Sequence, residues 1–181
     1  MAYFATIDEN NIVIQVEVVA DADTSDENGN IVESVGQNFL HSVHGGVANN
    51  YKLTSPLPSS PNLFRKHPAG INMLYDSIND FFCFSAPIVN NIGGVGSWTL
   101  DTNDALWKSP FGITRPSVDR YDFGTGNVAE PLGISLIWDE NAYQADNTKG
   151  FLAEHLNKET TNIKLEWNNA AESWEPNGTW D

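Results

Sequence analysis

A seven-residue spacing that recurs along the chain restricts its fold more than any other feature. In "LEWNNAAESWEP" from Leu165, Trp167 and Trp174 stand seven apart, with Asn168 just inside the first and Pro176 behind the second. The outline returns in "LYDSINDFFCFSAP" from Leu74 and "TLDTNDALWKSP" from Thr99, and more loosely in "IWDENAYQA" from Ile137 and "TIDENNIVIQV" from Thr6. Positions an odd number apart sit opposite each other across an antiparallel hairpin with a two- or four-residue loop. Tyr75 is therefore expected to face Phe82, Leu100 to face Trp107, and Trp167 to face Trp174. Asp76, Asp101 and Asn168 can each accept a hydrogen bond from backbone two residues on and so start the turn. Pro87, Pro110 and Pro176 have no N–H for a sheet ladder, and each return strand is expected to stop there.

The remaining segments give a β-rich chain, all-β or nearly so, of short antiparallel hairpins with extended segments and one or two short helices. Residues 1–48 read as an N-terminal hairpin, turning at Asp8 to Asn11, followed by a short helix over 37–43 that carries Phe39, Leu40 and Val43 and stops at Gly45 or Gly46. Residues 49–70 are rich in proline and read as extended, irregular chain. Tandem hairpins fill 71–123. Residues 124–181 read as an inserted segment with a helix at 150–158, on which Phe151, Leu152, His155 and Leu156 share a face, and the C-terminal hairpin. The irregular intervals exclude a solenoid or propeller, and one structural unit is expected.

Acidic residues outnumber basic ones 24 to 9 in 181 residues, a formal charge of −15, which opposes binding to a phosphate backbone. Nucleic acid is not an expected partner. Neither is a membrane, since no stretch approaches ~20 apolar residues, and the start "MAYFATIDEN" lacks the basic and apolar regions of a signal peptide. The single cysteine, Cys83, lies in the apolar run "FFCF" and reads as a buried, inert thiol.

No cofactor, metal or catalytic residue is expected. The acidic loop from Asp21 to Glu33 fails the calcium-loop template, with Asp26 where glycine is needed and Val32 where glutamate is needed. His41 and His44 lack a third zinc ligand. Asp139, Glu140, Glu154 and Glu172 offer no pair at a defined glycosidase separation. "NGT" at 177–179 reads as a turn.

The runs "RKHPAGINMLYDSINDFF", "SWTLDTNDALWKSP", "DRYDF" and "EWNNAAESWEP", with the opening "MAYFATIDENNIV" and "HGGV", resemble a family of small virion structural proteins of marine tailed phages, especially those of cyanobacteria. The family strings together an RKxxAGxGxxYD segment, a tryptophan hairpin, a xRYxW step and a closing pair of tryptophans. Here Phe123 replaces the tryptophan of the third element, and residues 124–164 look inserted. The resemblance implies a non-enzymatic virion protein assembled in the host cytoplasm, most simply a capsid decoration or accessory subunit whose partners are major capsid or tail proteins. Tyr75, Phe82, Trp98, Leu100, Trp107, Trp138, Trp167 and Trp174 are the hairpin positions expected to carry structure and subunit contacts. The alternative is a carbohydrate-binding module of a tail fibre, with tryptophans stacked on a glycan.

Overall fold

A computed structural model describes residues 1–56, 64–87, 96–116, 134–155 and 163–179 of the protein. The described chain is β-rich, as the hairpin pattern predicts, with small sheets and two short α-helices. Two compact units are present: Met1–Ser85 with Leu100–Leu106, and Ala86–Thr99 with Trp107–Asp181. The large side chains collect in separate clusters, each drawn from one unit.

The first unit is built on a three-stranded antiparallel sheet in the order β2-β1-β3, from β1 (Ala2–Ile7), β2 (Val13–Val19) and β3 (Tyr51–Thr54). Alternation along β1 sends its side chains to both faces. Ala2 and Phe4 pack with Leu40 of α1 (Glu33–His44), while Ala5 and Ile7 pack with Met73, Tyr75 and Phe82. The latter belong to or adjoin the hairpin of β4 (Leu74–Asp76) and β5 (Phe81–Cys83). Main chain stitches that hairpin to the sheet, the N–H of Val13 donating to Met73 O at 2.9 Å and that of Tyr75 to Asn11 O at 2.8 Å. Helix α1 starts four residues before the expected 37–43 and ends at Gly45, whose φ of 77° suits a residue without Cβ.

Gly36 lets the helix lie close to the sheet. A Cβ there would overlap the Phe4 ring, so Gly36→Ala is expected to lower stability by about 1–3 kcal/mol despite alanine's better helix propensity. A denaturant midpoint unchanged by the substitution would contradict this packing.

The second unit holds a four-stranded antiparallel meander in the order β11-β10-β9-β8, from β8 (Ile134–Trp138), β9 (Phe151–His155), β10 (Ile163–Asn168) and β11 (Ser173–Thr179). Helix α2 (Glu140–Ala145) sits in the β8–β9 connection. A further hairpin, β6 (Thr99–Asp101) with β7 (Leu106–Lys108), whose residues 100–106 belong to the first unit, follows the same plan as β4–β5.

Several expectations change. The helix expected at 150–158 is strand β9 over its described part, paired with β8 and β10: Phe151, Leu152 and Ala153 are all buried, and a run buried on both faces carries no period that separates helix from strand. The helix of this region is α2, where the Asp139 copy of the turn device begins a helix instead of a hairpin. The supposed insertion contributes two of the four strands of its sheet. Within 49–70, Tyr51–Thr54 is a fully buried strand rather than irregular chain, and 57–63 lie outside the described residues. Pro176 does not end its strand but lies within β11, opposite Leu165, beside a register shift; β11 is an edge strand, where the missing N–H faces no ladder partner. Residues 177–179, expected as a turn, are the end of that strand. The "DRYDF" run at 119–123 lies outside the described residues.

The turn device itself is present in all five places. Asp8 Oδ1 accepts from the N–H of Asn10 and Asp76 Oδ1 from that of Ile78, both at 2.9 Å. Asp101, Asp139 and Asn168 accept from Asn103, Asn141 and Ala170 at 2.8, 3.0 and 3.1 Å. Tyr75 lies opposite Phe82, and Trp167 opposite Trp174 with ring centroids 5.5 Å apart. A double-mutant cycle on Trp167→Ala and Trp174→Ala should give coupling of about 0.5–1 kcal/mol. Strictly additive losses would contradict direct pairing.

Candidate functional site

The most elaborate polar arrangement of the first unit is centred on Arg65, in the "RKH" run. Its guanidinium fork is only 10% exposed and meets three elements. One terminal nitrogen donates to Glu33 Oε2 of α1 at 2.9 Å, the other to the Leu53 carbonyl of β3 at 2.6 Å, and Nε donates to Asp80 Oδ1 in the β4–β5 loop at 2.6 Å. Glu33 completes a ring by accepting the Leu53 N–H at 2.7 Å, and the Tyr75 hydroxyl donates to Asp80 at 2.5 Å. Burial alone would lower the Arg65 pKa, but its bonds and charge contact with Glu33 and then Asp80 outweigh that and raise it above the ordinary arginine value. Asp80 is held below the usual carboxylate range, since the Tyr75 and Arg65 hydrogen bonds overcome its desolvation. The next residues grip a second hairpin: Lys66 Nζ donates to the Thr102 and Asn103 carbonyls, and His67 Nε2 to the Asp104 carbonyl at 2.9 Å. This is a clasp of saturated partners, suited to holding an architecture.

The second unit concentrates its aromatics. Trp98, Trp138, Phe151 and Trp167 are buried together, with Trp107, Phe111, Tyr143 and Trp174 partly buried against them. Edge-to-face geometry dominates, with Trp138 and Phe151 centroids 4.9 Å apart at 78°. Beneath them Glu140, 4% exposed, accepts from Trp138 Nε1 at 2.8 Å, from the Ser97 N–H at 3.1 Å, from the Ser97 hydroxyl, and from Gln144 Nε2 at 2.8 Å. Desolvation pushes its pKa up, but these donors prevail and hold it at about 2.

Of the sequence-selected positions, five tryptophans are thus brought into one cluster, Tyr75 and Phe82 into another, and Leu100 against Phe81, Cys83 and Ala105. Tyr75, Phe82, Trp98, Trp138 and Trp167 are buried within these clusters, whereas Leu100, Trp107 and Trp174 are partly exposed. The exposed apolar residues are others, among them Ile78 at the β4–β5 turn, Ile71 and Phe84.

Candidate chemistry is limited by the same geometry. Asp139 caps α2, and Glu140, ionised down to about 2, lacks the raised pKa of a general acid. Cys83 is fully buried and its thiol is pushed up to about 11 by burial. Asp26, in the acidic loop, takes N–H groups of Asn28 and Asn30 and the Asn30 amide, so its oxygens close their own loop. Among the described residues no group of three metal-ligating side chains converges, and no helix is long and apolar enough to cross a membrane. A chelator should therefore leave the thermal midpoint unchanged; a large drop on adding one would reveal a structural metal.

A cleft that no sequence pattern announces lies in the second unit, between residues 111–116 and the β10–β11 loop; it is open to solvent and has a volume of about 490 Å³. Phe111, Ile113, Pro116 and Trp167 supply its apolar wall; Arg115, Asn169 and Glu172 supply its polar groups. Compared with known protein families, curated proteins and solved structures, the chain finds no significant match in any of the three.

Proposed function

We propose that the protein is a non-enzymatic structural component of a phage virion, most simply a decoration or accessory subunit on the capsid exterior. The observation that carries this reading is the use of the motif residues behind the family resemblance. Arg65, Lys66 and Tyr75 of the "RKHPAGINMLYD" run form the clasp, and Trp167 and Trp174 of the closing run form a register pair, so the motif's side chains maintain architecture. A charge of −15 favours an outward-facing position over one against packaged genome. Partner capsid or tail proteins would be met through exposed apolar residues of the first unit, such as Ile71, Ile78 and Phe84. Burial of Trp98, Trp138 and Trp167 weighs against the rival in which open tryptophan faces carry glycan adhesion. Cross-linking mass spectrometry on purified particles tests the reading. Links from residues 64–84 to a major capsid or tail protein are expected, and links to no virion protein would overturn it.

A further inference from the structure

We propose that the cleft of the second unit binds a neutral sugar ring. Its volume of about 490 Å³ lies in the range of small-ligand sites, and its lining is mixed in a particular way. Half-buried Phe111 and Ile113 present apolar carbon, backed by the buried Trp167 and Pro116. The polar groups are of three kinds. Arg115 only donates; Glu172, as a carboxylate, only accepts; Asn169 carries an amide. Asn169 is fixed from two directions, its N–H donating to the Thr148 carbonyl at 2.9 Å and its Oδ1 accepting from Trp167 Nε1 at 3.3 Å, which leaves its Nδ2 to donate. Glu172 is set in place by the hairpin turn, with a left-handed φ of 50°.

Arg115 and Glu172 line the same cleft without forming an ion pair with each other, and among the described residues neither has a salt-bridge partner. The formal charges of the lining cancel. An anion drawn by Arg115 would meet Glu172, a cation drawn by Glu172 would meet Arg115, and the net charge of −15 adds to the penalty on an anion. A zwitterion such as a free amino acid matches the two charges, but both side chains are exposed, where ion pairs contribute little. Hydroxyl groups both donate and accept, so one ring can satisfy a guanidinium, an amide N–H and a carboxylate at once. The C–H surface of that ring has Phe111 to lie against. A neutral pyranose uses the exposed parts of the lining.

The inference rests on the cleft alone: absence from virions would not touch it, and an empty cleft would not touch the virion reading. The test is titration of the isotope-labelled full chain, followed by backbone-amide NMR, with maltotriose, cellotriose and triacetylchitotriose, and with L-phenylalanine and glucuronate for comparison. At least one neutral trisaccharide should shift amides in 111–115 and 167–172, with a Kd on the order of 1 mM. Arg115→Ala and Glu172→Ala should each weaken that binding about tenfold or more while leaving the thermal midpoint unchanged, since both side chains are exposed. Three results overturn the proposal: no shift in these segments with any trisaccharide, tighter binding of L-phenylalanine or glucuronate, or an affinity indifferent to both substitutions.

Discussion

Arg65→Ala should lower the stability of the first unit by about 3 kcal/mol, among the largest effects of any single substitution outside the apolar core. The reason is what it leaves behind. Glu33 and Asp80 lose their counter-charge, the Leu53 carbonyl loses a donor, and a side chain packed against the Tyr75 ring disappears, its guanidinium carbon 5.7 Å from the ring centre. Breaking a fully buried pair costs about 3–5 kcal/mol, and the exposure of Asp80 puts this case at the lower end. Arg65→Lys should recover only part of the loss, because an ammonium cannot span three acceptors set around a planar fork. Urea unfolding followed by near-ultraviolet circular dichroism measures both. A loss below about 0.5 kcal/mol for alanine, typical of a surface residue, would mean that the clasp does not hold α1, β3 and the β4–β5 loop together.

The second large effect concerns Glu140. Glu140→Ala strips the acceptor from the indole N–H of Trp138 and from the Ser97 N–H, leaving buried donors unpaired at about 1–3 kcal/mol each. Glu140→Gln should cost less, since one acceptor oxygen survives. A pH signature accompanies it. The carboxyl titrates near 4.5 when unfolded and at about 2 when folded, so its stabilisation is complete above 4.5 and fades as the pH falls towards 2. Once solvent screening is allowed for, the loss across that window is about 2 kcal/mol. Acid titration of wild type and Glu140→Gln should therefore converge between pH 5 and pH 2, with wild type losing more. Parallel curves would show that the carboxylate is not held by these donors.

The hairpins are legible in the sequence because everything that sets them is local. An Asx residue, a loop of fixed length and an opposed pair all fall within a dozen positions, so one pattern read at Leu74, Thr99 and Leu165 describes all three. The features that escape such a pattern are equally specific. Asp80, Ala105 and Glu172 each end a four-residue loop at φ of 55°, 57° and 50°. None is glycine or asparagine at this position, so no residue type marks the left-handed turn. Arg65 is visible as part of a motif, but its acceptors lie 12, 15 and 32 positions away on three elements, and no spacing rule joins them. Strand β9 reads as a helix because burial on both sides erases alternation. Asp139 shows the limit of the turn device: the same bonds to N–H groups two and three residues on begin a hairpin or cap a helix, and the downstream residues decide between the two. The cleft is invisible to any sequence pattern, since it exists only where 111–116 come to lie against the β10–β11 loop.

The reading of these elements as virion architecture is tested most directly by quantitative mass spectrometry of purified particles, with and without protease treatment of their exterior. A decoration or accessory subunit should be present in many copies per particle, and its peptides should fall on protease treatment while those of interior proteins persist. Absence from the particle would contradict the account outright, and a copy number near one with full protection from protease would contradict the exterior placement.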